Sequence, residues 1–342
     1  MKNWNKGVSE VGRILGRPVT ILGTGYYLPQ RIVTNEELSE SLETSDEWIR
    51  ERTGILERRI AAGDENTSDL AFNAAVRALS SADVSAVDVD MVLVATNSPD
   101  TLFPGVAPRV QDRLGATKAG ACDIQSGCTG SVYAMTLAIT GIASGLWNRV
   151  LVIGAEIITR IVDWSDRKTS VLFGDGAGAM LLGSAAEGQG RFVSADLKSD
   201  GSKHDHIVLP AGLTELPASR DTVEKRLHYV SMKGNDVFRF ANRVLPGYIA
   251  GFLSETGHDP SDIRWWLLHQ ANMRIIESIL SRLDVPIDRA IVNLARYGNT
   301  SAASIFIALA EFLDTHGFVP GDRTLISAFG AGMTYGAILY EA

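Results

Sequence analysis

Residues 85–97 and 260–270 read as two copies of one unit, each a polar lead followed by an apolar run. A second matched pair comes after them in the same order. Residues 127–138, opening Gly127-Cys128-Thr129-Gly130, match residues 298–308, opening Gly298-Asn299-Thr300-Ser301. Asp90 and Cys128 are 38 residues apart, and Arg264 and Asn299 are 35 apart. A third pair, 174–178 and 330–334, sets glycines ahead of an apolar run near the end of each copy. Two such copies predict a duplicated fold whose halves face each other about a pseudo-twofold axis, rather than a solenoid array.

The units themselves alternate strand-like and helix-like segments. Short apolar runs predict strands over 19–22, 91–96, 120–124, 150–153 and 179–182, and helical patterns cover 68–81 and 132–147. That alternation implies an α/β fold. A turn-rich stretch, 199–219, with several Gly, Pro and His, reads as a surface excursion. At 342 residues and 45% hydrophobic, the chain can bury a large core in one or two domains. A net charge of −8 speaks against non-specific nucleic-acid binding, which needs broad basic surface. Two cysteines offer no disulfide framework and suit a reducing compartment. The polar start, Met1 to Lys6, has no apolar stretch of the signal-peptide kind. No uncharged apolar run reaches the roughly 18 residues of a membrane span. A soluble cytoplasmic protein is expected.

Cys128 lies where a strand-like run gives way to a helix-like one. A helix N-terminus supplies partial positive charge and free N–H groups, so thiolate is favoured over thiol. The flanking glycines let the backbone turn sharply and leave room for a substrate carbonyl. If the halves are equivalent, Asn299 starts the matching helix and His269 ends a strand beside both. A thiol forms covalent intermediates, and an imidazole and an amide donate hydrogen bonds to a developing oxyanion. Each residue alone has a plainer reading: a small core hydrophobe, a satisfied core histidine, a helix N-cap. Their occurrence at duplicated positions favours a joint site.

With these residues in view, the chain resembles the β-ketoacyl-acyl-carrier-protein synthase III group of the thiolase superfamily. The matching motifs run nearly end to end. They include Gly23-Thr24-Gly25-Tyr26-Tyr27-Leu28-Pro29, Thr44-Ser45-Asp46-Glu47-Trp48-Ile49 with Arg52-Thr53-Gly54-Ile55, and Phe173-Gly174-Asp175-Gly176-Ala177-Gly178-Ala179. His269-Gln270-Ala271-Asn272 and Gly298-Asn299-Thr300-Ser301-Ala302-Ala303-Ser304 complete them. The resemblance implies a thiolase-like fold, two pseudo-symmetric βα halves in αβαβα layers. An N-terminal extension (1–17) would precede a half with the nucleophile (18–188) and a half with His269 and Asn299 (189–342).

It also implies a reaction. An acyl-CoA acylates Cys128; a malonyl thioester, on acyl carrier protein, then decarboxylates with its carbonyl held by His269 and Asn299. The carbanion attacks the acyl group, giving a 3-oxoacyl product, with the backbone N–H groups of Cys128 and Ala331 as oxyanion hole. CoA thioesters are substrates, and no cofactor or metal is implied. The same comparison assigns CoA contacts to Trp48, Arg52, Arg167, Gly234, Asn235, Phe238 and Asn272. It assigns acyl-pocket roles to Phe103, which reaches a partner subunit in a homodimer, and Phe329. Arg274, with Arg282 near it and Glu277 between, is the carrier-protein docking residue. Alternatives on the same fold are an acetoacetyl-CoA synthase and a starter-unit acyltransferase of polyketide or other secondary metabolism.

Departures from the family pattern cluster near the nucleophile: Gln125 and Ser126 before it, Ser131 after it, and Met333 and Tyr335 in the C-terminal turn. Other classes fit less well. The order Cys, His, Asn is also that of papain-like proteases, but their local motif is absent and a duplicated α/β pattern has no place there. Gly174-Asp175-Gly176-Ala177-Gly178 breaks dinucleotide-binding spacing. His204-Asp205-His206 lacks further metal ligands. Thiolases would want a second cysteine, and elongating synthases a second histidine in place of Asn299.

Overall fold

The helix Gly130–Ala143 contains no charged residue, and so apolar a helix has to be buried over most of its surface; only Leu137 and Thr140 stay exposed. The computed structural model, which describes Gly12, Ile14 and residues 16–342, meets that demand with two sheets. Strands β1 (Val19–Tyr27), β2 (Met91–Ala95), β3 (Gly120–Ile124), β4 (Arg149–Glu156) and β5 (Gly176–Ser184) form the first, in the order β1-β5-β4-β2-β3. Strands β6 (Arg191–Ser199), β7 (Trp265–Leu268), β8 (Arg323–Gly330) and β9 (Thr334–Glu341) form the second, in the order β6-β9-β8-β7. The longer helices are α1 (Asp46–Thr53), α2 (Thr67–Ser81), α3 (Val106–Leu114), α4 (Gly130–Ala143), α5 (Gly234–Glu255), α6 (Met273–Arg282) and α7 (Ser304–Thr315).

The duplication is visible strand by strand. In the first sheet β1 and β5, and β5 and β4, run antiparallel while β4 and β2 run parallel. The second repeats this with β6 and β9, β9 and β8, then β8 and β7. Even single bonds recur: Asp90 N–H donates to Arg149 O and Arg264 N–H to Arg323 O, both at 2.9 Å. Among the described residues the counterpart of β3 is reduced to a single parallel bridge, between Trp266 of β7 and Ala290.

Both sheets are covered on both faces, as alternation along β4 shows. Val150 and Val152 point into the cluster formed with Met135, Ile139, Ile305, Phe306 and Leu309, so α4 and α7 lie between the sheets. Leu151 and Ile153 point outward, onto Leu70, Ala74 and Val110 of α2 and α3. On the second sheet Trp266, Leu268 and Leu339 pack against Phe240, Ile249, Ile276 and Ile279 of α5 and α6. The result is the five-layer αβαβα arrangement.

Several expectations needed adjusting. The strand expected over 19–22 runs on to Tyr27, because Gly23 and Gly25 let α2 settle onto it; a Cβ at Gly25 would stand 2.5 Å from Ala78 N. The helix expected over 132–147 starts at Gly130 and ends at Ala143, where Gly145 turns the chain at φ +86°. Most of the 1–17 extension lies outside the described residues. Gly12 and Ile14, though, are bound along the edge of β6, through Ile14 N–H to Val193 O and Ala195 N–H to Gly12 O, both 3.3 Å. Among the described residues no helix is long and apolar enough to cross a membrane.

The central layer is packed tightly enough that one methyl group disturbs it. At Gly178 a Cβ would lie 2.6 Å from both Ile307 N and Phe306 Cβ, whereas at Gly251, inside α5, it would meet nothing within 4 Å. Gly178→Ala is expected to destabilise the protein by about 1–3 kcal/mol. Gly251→Ala is expected to stabilise it by about 0.5–1 kcal/mol. Urea unfolding of the two variants, which should shift in opposite directions, checks the packing.

Candidate active site

Cys128 sits in the turn that carries the chain from β3 into α4, one residue before the Thr129 N-cap. This turn interlocks with the one between β8 and β9. A Cβ at Gly127, whose φ is +56°, would lie 2.4 Å from Ala331 N, and one at Gly330 would lie 2.4 Å from Cys128 N. The Thr334 hydroxyl donates to Ser126 O at 3.1 Å, and that of Thr129 to Thr334 O at 3.0 Å. The space left by Gly127 is therefore filled by the Ala331 backbone, not by substrate as the sequence suggested. The N–H groups of Cys128 and Ala331 are brought close together. No other residue's backbone accepts from either among the described residues, and the Cys128 N–H turns toward its own Sγ.

His269 follows the last residue of β7, is 3% exposed, and is held by its N–H to Ser327 O at 2.9 Å. Its Nδ1 lies 2.7 Å from Ser304 Oγ, and Gln270 N–H also reaches that oxygen at 3.4 Å. With an N–H already directed at Oγ, the serine proton is assigned to Nδ1, which makes Nε2 the donor nitrogen. Phe329 packs edge-on to the ring at 5.7 Å. Asn299 enters the turn ahead of α7 through bonds to Leu172 O (2.8 Å) and from Gly174 N–H (3.2 Å). Its Oδ1 accepts from Ser301 N–H at 2.8 Å, which fixes the amide and leaves Nδ2 to donate.

All three side chains line one cavity of about 660 Å³, whose walls include Ile158, Leu172, Phe173, Val237, Phe238 and Phe329. The apolar enclosure decides the electrostatics. Burial lowers the His269 imidazole to about 3, so it is neutral. Burial likewise pushes the Cys128 thiol up to about 12, against a hydrogen bond from Ser301 that lowers it; the Glu156 carboxylate pushes it further up. Burial thus opposes the helix-start argument for a resting thiolate and favours a neutral thiol beside a neutral imidazole.

The remaining expected residues divide by position. Trp48, in α1, has the guanidinium of Arg52 5.9 Å and that of Arg167 5.2 Å from its ring. Asn272 caps α6, bonds Arg52 O through Nδ2 at 2.9 Å, and lines the cavity with Gly234 and Phe238. Asn235 is exposed at the start of α5 and is not a wall residue. Arg274 is exposed beside the cavity mouth, 5.7 Å from the Phe238 ring, and pairs with no carboxylate among the described residues. Phe103 is 80% exposed and does not line the cavity of its own chain. Of the five departures from the family pattern, Gln125 and Ser126 line the cavity; Ser131 and Met333 are buried away from it, and Tyr335 packs on Phe240 and Tyr248.

Sequence reading missed other parts of the site. His204, Ile207, Val208, Leu209 and Leu213 form cavity wall, so the 199–219 stretch is not merely a surface excursion. Asp205 within it forms an ion pair with Lys233. Asn97, Glu156, Ser301 and Ser304 gather behind the three candidates. Only Ser301 and Ser304 had a signal, since they fall inside the second copy of the repeat.

A pseudo-symmetric five-layer fold with a thiol, an imidazole and a carboxamide meeting at its centre is that of the thiolase-like condensing enzymes. Residues 122–201 match the family described as 3-oxoacyl-[acyl-carrier-protein (ACP)] synthase III, and residues 253–342 match its C-terminal part. The β-ketoacyl-[acyl-carrier-protein] synthase III of Syntrophomonas wolfei is 46% identical over 94% of this chain and 96% of its own. The crystal structure of 3-oxoacyl-[acyl-carrier-protein] synthase III from Aquifex aeolicus superposes with a TM-score of 0.87 at 38% identity, covering 95% of this chain and all of that one. The priming β-ketosynthase of the R1128 polyketide pathway superposes at 0.86 with 32% identity, over 96% and 98% of the two chains. The chain belongs to the 3-oxoacyl-[acyl-carrier-protein] synthase III family.

A neutral resting thiol makes a direct prediction. Alkylation of Cys128 by iodoacetamide, followed by mass spectrometry at that residue, should accelerate up to about pH 10 without levelling off. A plateau near neutral pH would mean the thiolate is already formed at rest.

Proposed function

We propose that the protein is a β-ketoacyl-acyl-carrier-protein synthase III type condensing enzyme that joins an acyl group from acyl-CoA to a malonyl thioester carried by acyl carrier protein. The supporting observation is the convergence of Cys128, His269 and Asn299 on one apolar-walled cavity. Cys128 Sγ attacks the acyl-CoA carbonyl, the carbon–sulfur bond to CoA breaks, and the thiol proton leaves with CoA. The malonyl thioester then enters with its carbonyl oxygen facing His269 Nε2 and Asn299 Nδ2. Loss of carbon dioxide leaves an enolate whose charge rests on that oxygen. Two neutral, fixed donors in a dry site stabilise such charge without reorganising. The enolate carbon attacks the acyl-Cys128 carbonyl, and the resulting oxyanion takes the N–H groups of Cys128 and Ala331. Collapse releases the 3-oxoacyl thioester and expels Cys128 as thiolate, which takes a proton from solvent to restore the thiol.

The surface supports a matching division of labour. Trp48 offers a flat ring for adenine, with Arg52 and Arg167 as phosphate partners, and the pantetheine arm runs past Gly234, Phe238 and Asn272. Arg274 is the docking residue for the acidic carrier protein. A homodimer is inferred from the uncovered face beside β3. Phe103 and Leu102 (61% exposed) stand in the loop before α3, whose first N–H groups, those of Val106 and Ala107, are held by Asp123 of β3 at 2.7 and 2.6 Å. We assign the protein to the cytoplasm on its two free cysteines. A second reading, starter-unit priming in a polyketide pathway, draws on the likeness to the R1128 enzyme; acetoacetyl-CoA synthesis differs only in the extender's carrier.

Incubation with a panel of acyl-CoAs, then malonyl-ACP or malonyl-CoA, separates these readings through the mass of the Cys128 adduct and the extender consumed. Cys128→Ala should form no adduct. Asn299→Ala should still acylate but lose roughly 10²–10³-fold in condensation, the worth of one such donor. Full condensing activity in Cys128→Ala would end the covalent mechanism.

A further inference from the structure

Ser301 occupies a place in the cavity to which the reaction above gives no task. Its backbone sits at φ +49°, in the left-handed region, which for a residue with a Cβ costs about 1–2 kcal/mol. It is 3% exposed and lines the cavity. Its hydroxyl donates to Cys128 Sγ at 3.4 Å.

That hydroxyl is itself held from behind. Asn97 Nδ2 donates to Ser301 Oγ at 3.3 Å and to Glu156 Oε1 at 2.7 Å, one hydrogen to each. Glu156 ends β4 and is fully buried. Its Oε2 accepts from Asn97 N–H at 3.0 Å, Ser98 N–H at 3.1 Å and the Ser98 hydroxyl at 2.6 Å. A carboxylate ringed by donors cannot rotate, so it fixes Asn97. Asn97 in turn fills an acceptor site of Ser301 Oγ, whose proton has Cys128 Sγ in reach with the Glu156 carboxylate as a rival acceptor. The chain Glu156–Asn97–Ser301–Cys128 links the two halves of the molecule at the nucleophile.

We propose that Ser301 is a catalytic residue of the acylation step, donating a hydrogen bond to Cys128 Sγ as negative charge gathers there, and that Asn97 and Glu156 are its positioning residues. This rests on the acyl-transfer reading above. As Sγ attacks, its bond to the acyl carbon forms, the acyl carbon's bond to the CoA sulfur breaks, and the thiol proton ends on CoA; Ser301 keeps its own proton. Sulfur is a strong acceptor only while charged. The bond is therefore strongest in the transition state and weak both in the resting thiol and in the acyl thioester. An interaction of that kind raises the rate rather than substrate affinity.

The test compares Ser301→Ala with Ser301→Gly, reading iodoacetamide alkylation at Cys128 by mass spectrometry between pH 7 and 10. Glycine accepts the backbone angle without strain, so it removes the hydroxyl alone and carries the test even if the alanine variant does not fold. In both variants the profile should move to higher pH by about one unit, a roughly tenfold slower reaction at a given pH, the scale of a hydrogen bond to a charged group. Asn97→Ala should move it in the same direction by less. Wild-type reactivity in Ser301→Gly overturns the catalytic role, and an unmoved profile in Asn97→Ala overturns the positioning roles. Absence of any acyl adduct on the wild-type protein is a different failure, that of the acyl-transfer reading, and leaves the alkylation result standing.

Discussion

The enclosure of α4 and α7 between two sheets governs everything else in this molecule. The faces these helices turn to the two sheets are apolar, so polar chemistry enters the central layer at their N-terminal turns. Those turns meet near the pseudo-twofold axis, where one supplies Cys128 and the other Asn299. The strand that ends beside them supplies His269. The price of such a dry location is that ionised groups are disfavoured, and both the thiol and the imidazole respond by staying neutral.

Neutrality shapes what the site can do. A charged base is not available, and a decarboxylation that generates its own carbanion does not need one. What it needs is donors that point at the right oxygen before charge appears. Each donor here is pinned from behind: Asn299 by the Ser301 amide, His269 by Ser304, and the Cys128 and Ala331 amides by turns so closely interlocked that only glycine fits at Gly127 and Gly330. Glu156 is the exception, a buried carboxylate close enough to oppose charge on sulfur. Its donors hold it in place, and its effect on the thiol is offset by the Ser301 hydroxyl.

The fold was legible because duplication leaves its mark in order and spacing, and because strands buried on both faces read as plain apolar runs. Cys128, His269 and Asn299 were legible for the same reason. Side-chain environment was not. A glycine beside a nucleophile reads as room for substrate, yet at Gly127 the neighbour is Ala331, distant in sequence. A helix start argues for thiolate, but sequence says nothing of how much water the surrounding walls exclude. Glu156 lies beyond the strand expected over 150–153 and gave no signal, and its partners Asn97 and Ser98 lie nearly sixty residues earlier. The 199–219 stretch reads as loop from composition, and only packing reveals Ile207 and Leu209 as wall.

The pseudo-symmetry of the two helix starts has a genetic corollary. Two identical half-chains pairing about a twofold axis would bring the same residue to both positions, thiol facing thiol or amide facing amide. A mutation in such a pair always arrives twice. Joining the halves into one chain removes that constraint, because each copy can then change alone. The division between a nucleophile on one side and oxygen-binding donors on the other is open to a fused molecule and closed to such an identical pair.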